Sequence, residues 1–241
     1  MRWLLLRGLA REQRHFGAFP ATFTRIVGDE TRTIDLPGFG TEHHRDSPSR
    51  MAAITDDVRR RAALTDGPWS IFAISLGGMV ALDWAARYPG EFARVVVANT
   101  SAADVSPPWE RFTTAIWPRL PGMVRGVAAE RERAILELTS NAPHVDKGAL
   151  AVQWAGFYNE RPPKRSSFAR QLFAATRSRL PKTIGAQVLV LTSSADRLVS
   201  HRCSEKIARK LKAPLAVHGE AGHDLSLDAP EWICARIQES A

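Results

Sequence analysis

Long hydrophobic runs are missing from this 241-residue chain. No stretch approaches the roughly 20 consecutive apolar residues that cross a bilayer, so neither a spanning helix nor a membrane partner is expected. The apolar part of Met1-Arg-Trp-Leu-Leu-Leu-Arg7 is too short for a secretory leader, and no small-residue cleavage site follows it. A cytoplasmic protein is the expectation. Cysteine is scarce: Cys203 and Cys234 fall in helix-like segments, too few for a disulfide framework and without metal-ligand spacing, so no metal site is expected. Internal repeats and low-complexity tracts are also absent. Acidic residues are outnumbered, leaving a net charge of +8 and a pI near 10.2, and only 6 of the 33 basic residues are lysine. Such a balance raises nucleic acid as a partner. The charges are scattered among acids, however, with no basic tail or aromatic-basic strip, so nucleic acid is not expected. Attraction to an anionic substrate or an acidic carrier protein is compatible with the charge.

What is present suits a large α/β core. Apolar residues make up 44% of the chain and charged residues 24%, ordinary proportions for a globular protein. Short apolar runs at Trp3 to Leu6, Arg32 to Leu36, Ile71 to Ile74, Arg94 to Ala98, Gln187 to Leu191 and Pro214 to Val217 read as buried strands. Helical patterns fill gaps between them at Arg50 to Leu64, Leu76 to Tyr88, His201 to Lys212 and Asp228 to Gln238. The last opens on Asp228-Ala-Pro-Glu231, which predicts an N-cap with proline in the first turn. Alternation of this kind argues for a mostly parallel sheet with helices on both faces. The rhythm breaks over 104–181, where prolines recur, among them Pro121, and no strand pattern is found. So long a stretch cannot be a plain loop. It predicts a helical cap inserted into a core made of 1–103 and 182–241. Trp109, Trp117, Trp154, Phe168 and Phe173 in the cap are expected mostly to pack between helices.

The sharpest chemical signal is Ala73-Ile-Ser75-Leu-Gly77, an apolar strand, a serine and then a helix closed by Pro89. A serine at such a junction sits in a tight turn that exposes its hydroxyl, and small residues are needed two positions to either side. The alternative is a strand ending in a polar turn. A serine nucleophile needs a base, itself oriented by an acid. Of the seven histidines, His223 lies between the last strand and the last helix, at the strand edge where open α/β sheets place their sites. His218 is expected to close the strand. His43 and His44 lie in a polar loop that can border the site, whereas His15, His144 and His201 have no evident partner. Asp196 follows the fifth strand and suits the acid; Asp104, after the fourth, is the second choice.

With Ser75, Asp196 and His223 in that order, the chain resembles an α/β-hydrolase along nearly its whole length. Asp35-Leu-Pro-Gly-Phe-Gly40 is similar to the family's D-x-P-G-x-G loop, with a structural role. Arg7-Gly-Leu9 stands where the family carries His-Gly-x. The resemblance implies that the backbone amides of Leu9 and Leu76 form the oxyanion hole, and Arg7 in place of histidine is a departure. It also implies a six-strand sheet of order 2-1-3-4-5-6 without the two opening antiparallel strands of many members, and no metal or organic cofactor. The expected activity is hydrolysis of a small or medium carboxylic ester. Size and cap placement are also similar to the pimeloyl-carrier methyl ester esterase type. The 104–181 segment carries 12 basic and 7 acidic residues, which keeps a carrier-linked or coenzyme A substrate open. A non-catalytic ligand receptor on the same fold is the third possibility.

Overall fold

A computed structural model describes residues 1–119 and 126–240. Residues 120–125, with Pro121 and Arg125 of the expected cap, and Ala241 lie outside the described residues. The apolar runs form six strands: β1 Arg2–Leu6, β2 Glu30–Thr33, β3 Trp69–Ile74, β4 Phe92–Ala98, β5 Gln187–Ser193 and β6 Leu215–His218. Their order is β2-β1-β3-β4-β5-β6, as the resemblance implies, and all neighbouring pairs are parallel.

Parallel strands need long crossovers, usually helical. The longer helices are α1 Phe19–Val27, α2 Met51–Ala62, α3 Leu76–Arg87, α4 Ala128–Thr139, α5 Lys147–Glu160, α6 Arg165–Arg177, α7 His201–Leu211 and α8 Pro230–Glu239, and a short helical turn spans Leu225–Asp228. Side chains alternate across the central strands. Leu4, Ile71, Val95 and Val190 share one apolar cluster with residues of α2, α3 and α7, including Ile54, Val80 and Ile207. Trp3, Phe72, Val96 and Leu191 face the other way, onto Phe19 and Phe23 of α1 and Ile233 and Ile237 of α8. Burial on both faces is why Ile71 to Ile74 of β3 reads as an unbroken apolar run. The edge strands β2 and β6 are half exposed and short, as sheet edges tend to be.

Two expectations are corrected. The second strand is Glu30–Thr33 rather than Arg32 to Leu36. Ile34 still donates to Leu5 O at 3.4 Å, but the Asp35 carboxylate then accepts from Gln13 N at 2.6 Å and Thr41 N at 2.8 Å, and Pro37 has no amide to extend a ladder. Ile34 and Leu36 are apolar because they pack on the core. The last helix begins at Pro230, and Asp228 does not cap it. Its carboxylate accepts from Ser140 Oγ at 2.6 Å, Asn141 N at 2.7 Å and Gly222 N at 2.6 Å.

Between β4 and β5, the described residues hold short helical stretches at Pro108–Arg111 and Thr114–Arg119, then α4, α5 and α6, and no strand. These elements reach the loops that follow the C-terminal ends of the strands. Gln171 Nε2 donates to Pro37 O at 3.1 Å, and Gln171 Oε1 accepts from Ala10 N at 3.3 Å. Glu132 pairs with Arg11 at 2.5 Å. Of the aromatics expected to pack here, Trp154 is buried, whereas Trp109 and Trp117 are 73% and 67% exposed and Phe168 and Phe173 are also exposed.

Candidate active site

Ser75 joins β3 to α3 with φ 56° and ψ −119°, a backbone conformation that costs a non-glycine residue on the order of 1–3 kcal/mol. Its surroundings hold it there. Ser75 N donates to Ala98 O at 2.9 Å, and Ser75 O accepts from Met79 N at 3.2 Å and Thr100 Oγ1 at 2.8 Å. The need for a small residue at 77 has a source other than the turn itself. A Cβ on Gly77 would lie 2.5 Å from Arg7 O and 2.9 Å from Leu6 O, so the last residue of β1 and the one that follows it impose it. Ala73 is fully buried.

His223 and Asp196 come from the loops after β6 and β5. His223 Nδ1 lies 2.7 Å from Asp196 Oδ2, with both side chains buried. Asp196 Oδ1 accepts from Leu198 N at 2.8 Å and Val199 N at 3.0 Å, so one carboxylate shapes its own turn and engages the histidine. Ser200, not Asp196, caps α7. With Nδ1 donating to the carboxylate, Nε2 is the free acceptor nitrogen of the neutral ring. No hydrogen bond joins Ser75 Oγ to His223 in this structure; such contacts often tighten only around substrate.

A residue the sequence reasoning missed draws the three loops together. Asn99, buried at the end of β4 with φ 47°, donates through Nδ2 to His223 O at 2.9 Å and Gly222 O at 3.3 Å. Its Oδ1 accepts from Ser193 N at 3.0 Å and Thr192 Oγ1 at 3.1 Å. It follows Ala98, whose carbonyl receives Ser75 N. The only sequence signal was an asparagine ending an apolar strand, a residue type that tolerates positive φ. The second-choice acid, Asp104, is engaged elsewhere and accepts from Leu180 N at 2.8 Å. His218 Nδ1 accepts from Glu220 N and Ala221 N at 3.1 and 3.0 Å and holds the turn after β6. His43 Nδ1 is 3.4 Å from Pro162 O, and His44 stacks edge-on against it. His15 is buried against Trp154; burial and the charges of Arg11 and Arg7 hold it well below the usual histidine range, in the neutral form.

Leu76 is the first residue of α3, so its amide has no intrahelical acceptor. Leu9 follows Gly8, whose missing Cβ would lie 3.1 Å from Ser75 Cβ. Arg7 has turned inward. Its guanidinium donates to both oxygens of Asp224 at 3.0 and 2.6 Å and to Ser226 Oγ at 2.9 Å, with both partners of the ion pair almost fully buried. Burial raises the Asp224 carboxyl, but the charge and hydrogen bonds of Arg7 outweigh it and hold the group below its ordinary range. Arg7 therefore ties the loop beside Ser75 to the residue after His223.

A cavity of about 510 Å³ lies between the loops after β1 and β2 and helices α4 to α6. Ala10, Phe39, Ile135, Phe157 and Phe168 give it apolar walls, and Arg131, Arg161, Lys164 and Arg165 also line it. A larger one, about 670 Å³, opens at the opposite end of β4 and β5 beside Arg94, Lys182 and Lys210, away from Ser75 and His223. Among the described residues no group of His, Cys, Asp or Glu could hold a metal ion, and no helix is long and apolar enough to cross a membrane. Burial pushes the Cys234 thiol up to about 11 and raises Cys203, which leaves neither reactive.

Known proteins share this fold. The sequence profile described as the Alpha/beta hydrolase family matches residues 3–236. The biotin biosynthesis bifunctional protein BioHC of Teredinibacter turnerae is 30% identical over 100 residues, which are 41% of this chain and only 17% of that protein. Among solved structures, lip1 of Acinetobacter baumannii AYE is similar with a TM-score of 0.75 at 23% identity, over 99% of this chain and 82% of that one. A thermophilic esterase from Thermogutta terrifontis has a TM-score of 0.68 at 21% identity, over 99% and 88% of the two chains. At these identities the structural likeness is one of fold.

Proposed function

The chain belongs to the alpha/beta hydrolase family, and from that premise we propose that it is a serine hydrolase of small or medium carboxylic esters. The observation that carries this reading is the buried 2.7 Å contact between His223 Nδ1 and Asp196 Oδ2, two residues from separate loops, at the strand edge where Ser75 is held in its strained turn.

In this mechanism His223 Nε2 takes the proton of Ser75 Oγ as the oxygen attacks the acyl carbon. Asp196 fixes the imidazole tautomer and stabilises the cation that forms. The oxyanion is received by the amides of Leu9 and Leu76, donors that need no reorganisation when charge develops. The imidazolium protonates the leaving alcohol. Water, with His223 as base, then releases the acid from the acyl-enzyme. The insertion serves as the cap, and the cavity between it and the loops after β1 and β2, whose walls do not include Ser75 or His223, takes the part of the substrate remote from the reacting carbonyl.

The test is labelling by a fluorophosphonate together with turnover of p-nitrophenyl esters of graded chain length. The wild-type protein is expected to label and turn over, and Ser75→Ala to do neither, with a loss on the order of 10⁶-fold in kcat. A Ser75→Ala protein that keeps its activity moves the nucleophile elsewhere. A wild-type protein that is folded but inert to both reagents favours a ligand receptor.

One observation favours a second substrate class. Arg161, Lys164 and Arg165 line the cavity beside Arg131, which suits an ester or thioester borne on an acidic carrier protein or on coenzyme A. The relative named for biotin biosynthesis matches over a limited stretch and is compatible with that class.

A further inference from the structure

The loops that bear the acid and the base are gripped from two sides. Asn99 holds them from within the sheet. From the insertion, the segment that ends α4 reaches the same two loops. Asn141 Nδ2 donates to Ala195 O at 3.1 Å, directly before Asp196, and to Glu220 O at 2.9 Å, three residues before His223. Its backbone amide donates to Asp228 Oδ2 at 2.7 Å, and that oxygen also accepts from Gly222 N at 2.6 Å, the residue before His223. Thr139 O accepts from Asp224 N at 2.8 Å, and Arg197, beside the acid, donates to Ser140 O at 3.0 Å. The approach is so close that a Cβ on Gly222 would lie 2.5 Å from Thr139 O and 3.1 Å from Asn141 N.

We propose that Asn141 is a positioning residue for the Asp196–His223 pair, its carboxamide setting the spacing of the two loops so that the insertion fixes the geometry of proton transfer. The proposal rests on the catalytic roles assigned to Ser75, Asp196 and His223. One amide nitrogen uses both of its hydrogens to bridge the two loops, beside the separate bonds of Arg197 to Ser140 O and of Asp224 N to Thr139 O. Losing it removes that side-chain bridge while leaving Asn99, the sheet and the Arg197, Asp224 and Asp228 contacts in place. The loops then separate by fractions of an ångström, enough to slow proton transfer without unfolding the chain, since a misplacement of about 1 Å can cost on the order of 100-fold.

Asn141→Leu keeps size and removes both donors. It leaves in place every charge around His223: Asp196 on its ring, Asp224 with Arg7, Asp228 on the following turn, and Arg197 beside the acid. On p-nitrophenyl butyrate it is expected to lower kcat about 10- to 100-fold with KM within twofold of wild type. The midpoint of the kcat/KM pH profile should move to lower pH, because a less closely held Asp196 stabilises the imidazolium less. Asn141→Ala goes through the same measurements should the leucine variant not fold. Wild-type kcat with an unmoved midpoint overturns the proposal, as does a drop in melting temperature with no change in midpoint. Activity that survives Ser75→Ala overturns the underlying catalytic reading instead, and the two failures are told apart by that one control.

Discussion

The sheet and the insertion between β4 and β5 are held by different forces. The sheet is buried between two large apolar clusters fed by side chains alternating along β1, β3, β4 and β5. The apolar cluster within the insertion is small, with Leu136, Ala151 and Trp154 at its centre. Arginine supplies much of the rest. Arg11 pairs with Glu132 while its guanidinium lies 4.8 Å from the Trp154 ring. Arg14 pairs with Glu160 and lies 4.2 Å from Phe157. Arg111 is buried and donates to Ala175 O and Thr176 O. A planar guanidinium can stack on an aromatic ring and bind a carboxylate at once, which an ammonium does less well. Part of the arginine excess is thus the means by which a segment with little core of its own is fastened to the strand ends.

Among substitutions away from Ser75, the largest expected effect tests whether the chemistry stays on the strand-end loops. Asp196→Asn is expected to lower kcat by about 10⁴-fold, the scale for a triad acid that loses its charge. Asp104→Asn should stay within about twofold, since an amide oxygen still accepts from Leu180 N. The reverse ranking, measured on one ester, would move the acid to the root of the insertion and blur the division.

A second test asks whether the core also depends on a polar link. Arg7→Met leaves Asp224 buried without its partner, and breaking such a pair costs about 3–5 kcal/mol, read as a fall in denaturation midpoint at pH 7. The sign with pH is fixed by the depressed Asp224 carboxyl. The stability it contributes is present above the ordinary carboxylate value of about 3.9 and is lost as pH falls through the lower folded value. In Arg7→Met the isolated carboxyl protonates readily, so the gap between variant and wild type should close toward acid pH. A gap that is constant with pH would show that Arg7 contributes through packing alone.

The smallest effect sharpens the role of the insertion. Neutralising Arg161, Lys164 and Arg165 together should raise KM for a coenzyme A thioester about fivefold, the sum of three rim charges of modest strength. Added salt should weaken wild-type binding in the same sense, and a small neutral ester should not respond. Equal changes for both substrates, in folded protein, would remove the case for a charged substrate.

The central strands were legible because Ile71 to Ile74 and Arg94 to Ala98 are apolar on both faces, and a doubly buried strand leaves that trace; their order in the sheet came from the resemblance to α/β-hydrolases. The ends of elements were less legible. Ile34 and Leu36 looked like strand residues because core packing and ladder pairing select the same side chains. The elbow at Ser75 could be located because tight backbone geometry constrains neighbouring residue types. The polar braces could not. Asn99, Asn141, Gln171 and Asp228 act across separations of tens of residues, and a single asparagine or aspartate has no local pattern that announces its distant partner. Asp228 shows the hazard most plainly, since a residue placed like an N-cap spends its carboxylate on Ser140, Asn141 and Gly222 instead.

Gly222 and Asp228 bear on how chains of this kind can be recombined. An insertion between two strands looks like a cassette, exchangeable for another of different specificity at its two entry points. Here the seam does not follow those entry points, because Thr139 lies against Gly222 and Asn141 shares Asp228 with it. A graft that brings in a foreign insertion while keeping the native 220–228 loop would join surfaces not shaped for each other. Chimeras that carry both segments from one parent should keep their turnover, so 137–141 and 220–228 form one unit of inheritance despite the 78 residues between them in the chain.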